Sequence, residues 1–205
     1  MIDKALLLIQ SELNNYLSSH DLSSSTEVTV DNIAMLETSS GDNLTGKIVI
    51  SVVNVEEEST LKNQRSRLRN PPIGTIYLNP PVYLNLYVLF TSNYAGATQY
   101  ISGLQRISYV IQFLQSKNSF SSQSTIGDSS VGITNTASSD LLNLWFTMEL
   151  YTLTFEQLNH LWGSLGGRQV PFVMYKLRLV AITERNIIRT TPVILEIDTD
   201  ISPAL

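Results

Sequence analysis

Cysteine is absent from all 205 residues, which removes disulfides, thiolate metal sites and cysteine nucleophiles together. Histidine is almost as scarce. His20 follows a helix end and His160 lies among apolar helical positions, with no ligand set at metal-binding spacing around either, so both read as structural or surface residues. Charge is sparse as well, at 15% of residues, and the balance of 13 basic against 18 acidic side chains leaves a net −5. A general nucleic-acid binder needs the opposite field to neutralise phosphates. No apolar run approaches the roughly 18 to 20 residues of a membrane span. The short run in Met1–Gln10 is flanked by Asp3 and Glu12 and lacks a small-residue cleavage site, so it reads as an amphipathic helix rather than a signal peptide, and a soluble chain is expected. Phosphate loops, dinucleotide fingerprints and G-x-S-x-G elbows are missing too. The nearest glycine cluster, Gly163-Ser-Leu-Gly166-Gly167, ends a helix, where a phosphate cradle would have to precede one.

What remains is ordinary globular material with 43% apolar content, enough for one core that buries about 70% of the unfolded chain's surface. Ile2, Leu6, Ile9, Leu13, Tyr16 and Leu17 fall on one stripe and predict a first helix. Glu27–Asp31 alternates as a short strand, and 38–43 has turn chemistry. Lys47–Val55 is apolar on both faces, Ile48, Ile50 and Val52 against Val49 and Val53, and predicts a central strand. A second such strand, Val82–Phe90, starts after Pro80-Pro81, since proline cannot donate to a ladder. Tyr100, Leu104, Ile107, Ile111 and Leu114, widened by Ile101, Val110 and Phe113, predict a well-buried second helix over 98–117. The serine-rich segment 118–140 predicts a mobile loop or extended hairpin. Alternation over Leu141–Leu153 predicts a strand, and Thr154-Phe-Glu-Gln157 predicts a capping box opening a third helix with Phe155, Leu158, Leu161, Trp162 and Leu165 inward. Its stop is Gly166-Gly167, and Pro171–Thr183 then reads as a long strand. The order predicts an α/β fold with a mixed sheet packed by helices.

One region fits no core or turn. The strand from Lys47 runs into Glu56, Glu57 and Glu58, and Lys62, Arg65, Arg67 and Arg69 follow within eight residues, bounded by prolines. This arm, 58–79, has little apolar surface of its own and gains most from order when another surface supplies partners. Three consecutive strand carboxylates cannot converge on one substrate without a bulge, so pairing with arginines of the following loop, on the same chain or a neighbour, is favoured over acid/base or metal chemistry. The C-terminal segment 186–205 reads as an extended tail, alternating from Thr190 to Ile201, with Val193, Leu195 and Ile197 on one side of a plausible donor strand or edge strand.

Three stretches together carry a family likeness: Met1-Ile-Asp-Lys4; Val52–Asn63 with Asn79–Phe90; and Glu149–Gly167 with Pro171 and Tyr175–Val180 behind it. Across residues 1 to 183 the chain resembles the cap, or tail-terminator, proteins of phage-tail-like contractile injection systems. The resemblance implies a terminator-like domain over 1–185 and a non-enzymatic role. It implies a sixfold ring closing the distal end of inner tube and sheath, with partners that are copies of itself and the tube and sheath proteins. No cofactor, metal, nucleic acid or membrane insertion is implied. Synthesis in the bacterial cytoplasm and incorporation into an injection particle follow, the particle being released from the cell or held at a membrane. The segment 118–140 and the tail after Arg185 fall outside the matching motifs. Two other functions compete. A monomeric or dimeric adaptor using the basic arm predicts no ring, and a hydrolase-like enzyme requires a pocket joining His160 to a carboxylate.

Overall fold

The computed structural model describes residues 1–20, 27–37, 44–61, 67–70, 74–94, 99–121, 144–182 and 187–191. Helix α1, Ile2–Ser18, buries Leu6, Ile9, Leu13 and Leu17, each three or four residues from the last, with Ala5 and Leu8 added. Asp3 in its first turn takes an ion pair from the Met1 amine at 2.7 Å, and that bond holds the Asp3 carboxyl below its ordinary pKa.

Six strands build the main sheet: β1 (Glu27–Val30), β2 (Lys47–Glu57), β5 (Val82–Ser92), β6 (Ser119–Ser121), β7 (Trp145–Leu150) and β8 (Phe172–Ile182). Their spatial order is β1-β2-β5-β8-β7-β6. Only β1 and β2 run parallel, so the sheet is mixed. The central position of β2, β5 and β8 follows from their two-sided apolar pattern. Ile48 and Ile50 enter one hydrophobic cluster with Val28, Val88, Phe90, Phe146 and Leu177, roofed by α1 and by α2, Gln99–Ser116. Val49, Leu89 and Met174 enter the other, covered by Trp162 of α3, Phe155–Ser164, and by Ile33 of a 3-10 turn. Helices therefore lie on both faces.

The third helix begins as its sequence predicts. Thr154 Oγ1 accepts the Gln157 amide at 3.3 Å, and Gln157 Oε1 accepts the Thr154 amide at 3.1 Å. It ends at Gly166 and Gly167, both at positive φ (105° and 81°), the left-handed backbone that glycine adopts at no steric cost. Phe155 departs from expectation. As the first helical residue it stands 91% exposed, because the side chains that meet the sheet lie further along the helix.

A second departure is larger. The arm that read as a loop contains two strands, β3 (Arg67–Asn70) and β4 (Gly74–Leu78), and β4 also pairs with β9, Ile187–Thr191, forming a separate sheet in the order β3-β4-β9. The C-terminal segment thus enters a ladder earlier than the alternation from Thr190 suggests. In the main sheet Val82 lies opposite Ile182, and in the small one Leu78 lies opposite Ile187. Consequently β4–β5 and β8–β9 form two lengths of one antiparallel ribbon, interrupted at Pro80-Pro81 where proline removes a ladder donor. The turn predicted over 38–43 and most of the serine-rich segment lie outside the described residues. Its first residues, Ser119–Ser121, pair with β7 as an edge strand.

Candidate assembly surfaces

Where β2 runs past the cover of α3, its last side chains enter a polar row across four strands. The Tyr87 hydroxyl donates to Glu56 Oε2 at 2.8 Å, and Lys176 Nζ stands 3.6 Å from the same oxygen. Two residues on, Asn85 Nδ2 donates to Glu58 Oε2 at 2.8 Å, the Thr60 hydroxyl donates to Oε1, and Arg178 approaches at 3.8 Å. Arg178 also reaches Glu149 of β7 at 3.3 Å. Cross-strand register explains the grouping, since Glu56 lies opposite Asn85, Tyr87 opposite Lys176, and Lys176 opposite Glu149. Glu57, opposite Leu84, belongs to the other face and is exposed. The donors from Asn85 first, then from Thr60, stabilise the Glu58 carboxylate and bring its pKa down to about 2. The bond to Glu56 pushes the Tyr87 hydroxyl above its usual pKa.

Glu56 and Glu58 therefore find cations on β8. Sequence reading missed Lys176 and Arg178 because their row is created by register between segments far apart in the chain. The only local hint is their i, i+2 spacing within a strand.

Of the four arm cations, Lys62 and Arg65 lie outside the described residues. Arg67 and Arg69 occupy alternate positions of β3, registered against Tyr77 and Thr75. On the opposite side of β4, Arg189 of β9 is registered with Tyr77, so one cross-strand row runs Arg67, Tyr77, Arg189. Arg189 was invisible as a member of this set, since nothing near it in sequence announces its pairing with β4. Tyr77 itself is 38% exposed. Val193, Leu195 and Ile197 lie outside the described residues.

A third surface is the outside of α2. Ile107, Val110, Phe113 and Leu114 are buried as expected, but Tyr100, Ile101, Leu104 and Ile111 are exposed, Ile101 at 74%. The helix is rotated from the predicted stripe because its apolar residues exceed what one sheet-facing side can take. Gly103 faces inward, and a Cβ there would meet Ser92 and Pro171 at ordinary contact distances. The exposed positions are otherwise glutamine and serine, so the outer face of this 18-residue helix carries no charge. Arg106, its one ionisable basic residue, is buried with its guanidinium 4.0 Å above the Tyr94 ring.

Chemistry is poorly provided for. His160 and Glu56 do border one shallow cleft, together with Asn54, Tyr87 and Tyr151. Glu56 is committed to Tyr87 and Lys176, however, and His160 is 79% exposed, its nearest acid being Glu156 one turn earlier at 3.9 Å, a carboxylate the sequence reading passed over. His20 packs against Tyr16 with the rings tilted by 38° and their centres 4.4 Å apart. Among the described residues no group of three or more potential ligands could hold a metal ion, and no helix is long and apolar enough to cross a membrane.

Comparison with known proteins adds the family. Two solved structures share the fold at 13% identity. A sheath/tube terminator of an extracellular contractile injection system, solved in the extended state, aligns with a TM-score of 0.59 over 95% of this chain and 63% of its own. The tube-terminating cap of the anti-feeding prophage aligns at 0.61 over 97% of this chain and 60% of its own. The chain thus spans about three fifths of the length of either. No curated protein matches by sequence. The family model described as the Pvc16 N-terminal domain matches residues 6–196, nearly the whole chain, and the protein belongs to that family.

Proposed function

We propose that this protein is a non-enzymatic cap that ends the inner tube and sheath of a contractile injection particle, acting as a closed ring of identical subunits. The observation that carries this reading is the likeness of nearly the entire chain to two terminators, combined with membership of the Pvc16 N-terminal domain family. The resemblance noted from sequence puts the ring at six copies. Cytoplasmic synthesis followed by incorporation into the particle completes the proposal.

Surface chemistry supports it. A closed ring joins unlike surfaces of neighbouring copies. The charged end of β2 with the arm provides one, and the uncharged outer face of α2 provides another on the opposite side of the sheet, with the depletion of charge that distinguishes interface cores. A second copy occupies each in this reading. Glu56, Glu57, Glu58, Lys62, Arg65, Arg67 and Arg69 lie at the first contact, where arginine-carboxylate pairs fix orientation.

Electron microscopy of the purified protein, alone and mixed with tube and sheath proteins from the same particle, tests the reading. Rings, or density closing one tube end, are expected. A monodisperse monomer that ignores both partners would replace the cap with the adaptor. Reversing Arg65, Arg67 and Arg69 to glutamate is expected to leave the circular dichroism spectrum unchanged while weakening the ring or its docking; unchanged capping at physiological salt would remove the arginines from the interface.

A further inference from the structure

Among the described residues the main sheet ends at β1 on one side and β6 on the other. An edge strand offers unpaired N–H and C=O groups to any extended segment that approaches, and proteins that must not grow by strand addition cover or distort that edge. At β1 the cover is specific. The Val28 N–H donates to Asn14 Oδ1 at 3.1 Å, while Gln10 Nε2 donates to the Val28 carbonyl at 2.8 Å and Asn14 Nδ2 stands 3.5 Å from the same oxygen. Asn14 thus presents an acceptor and a donor to one residue, as a residue of a further antiparallel strand would with its own C=O and N–H. Gln10 and Asn14 are one helical turn apart, so both amides project from the same face of α1. Val28 between them is 0% exposed. A parallel pair with β2 engages alternate residues of β1, so the groups taken by α1 are those aimed away from the sheet.

An apolar helix face alone would have buried this edge and left two polar groups unsatisfied. Side-chain amides at both turns instead meet donor and acceptor. We propose that Asn14 and Gln10 seal the β1 edge against strand addition by an extended segment of another copy of this chain. Resting on the cap reading above, the seal also supplies a way to stop growth: a subunit whose sheet cannot be extended at β1 gives the next subunit no strand to join there.

The test uses Q10A/N14A, which exposes the Val28 groups while leaving the apolar side of α1 intact. In the wild type, hydrogen exchange at the Val28 amide is expected to be slowed at least about 100-fold relative to an unstructured peptide, since its donor is bonded in the native fold. Exchange at the free-peptide rate overturns the seal, whether or not the variant folds. With native circular dichroism retained, Q10A/N14A is expected to form concentration-dependent, β-rich assemblies larger than the wild-type species by light scattering. An unchanged size at every concentration overturns the proposal. Both measurements use the chain alone, so a failure of the cap reading does not touch them. If the variant associates and still caps tubes as well as the wild type, the role of the seal in stopping growth is overturned while the cap itself stands.

Discussion

The six-stranded sheet and the three-stranded sheet gather their strands differently along the chain. The first is packed on both faces, with Phe90 and Phe146 at 0% exposure in one cluster and Val49 and Leu89 in the other. The second pairs β3 with β4 as a local hairpin and β4 with β9 across most of the chain, and its Tyr77 is 38% exposed. Burial of apolar area supplies most of a fold's stability, and pairing supplies geometry. The geometry of the small sheet is thus set by one local and one distant ladder, with Ile76 in register in both.

The contrast can be broken most severely in the large sheet. Phe90→Ala deletes a ring packed edge-on to Tyr175, 5.8 Å between centres, and is expected to cost about 3 to 5 kcal/mol in urea or guanidinium unfolding. A loss under about 1 kcal/mol would mean that the two-sided core is not what holds β5. Ile76→Pro strikes β4 between Leu68 and Thr190 in register and removes a ladder donor. Here the thermal midpoint is expected to move by no more than about 4 °C, the shift that about 1 kcal/mol produces in a chain of this size, while ring formation or tube capping is lost. Collapse of the whole fold would show that the small sheet is a structural partner of the large one.

The finest probe sits where β2 leaves for the small sheet. Glu58 has a folded pKa of about 2 against an ordinary 4.5. Because the folded value is the lower, its stabilising effect is complete above about pH 4.5 and is lost as pH falls toward 2. Asn85→Ala removes the largest cause, so the Glu58 carboxyl is expected to titrate closer to 4.5 by NMR. An unmoved titration would assign the shift to Thr60 and Arg178.

Legibility in the sequence divides along the same line. Helix α1, the double-faced strands β2 and β5 with the proline-set start of β5, the long strand β8 and the Thr154 capping box were readable because each is written in neighbouring residues. Local periodicity also overreached: it placed Leu104, Ile111 and Phe155 inside, and a periodic stripe does not record how much of it the sheet can cover. The β4–β9 ladder, the Arg67-Tyr77-Arg189 row and the partnership of Glu58 with Arg178 were not readable at all, since each joins segments far apart in the chain. The arm was legible as unusual charge without its geometry, and the exposed apolar face of α2 was not legible.

The ribbon through Pro80-Pro81 has a mechanical meaning. A pull on the small sheet along the ribbon axis enters β5 and β8 lengthwise, and each is paired along most of its eleven residues. Antiparallel ladder bonds lie perpendicular to the strands, so such a pull loads them in shear, many at once, instead of opening them one after another like a zipper. The proline break interrupts the ladder without cutting this line of force. The small sheet is thus tied to the body through two strands whose ladders resist a lengthwise pull together.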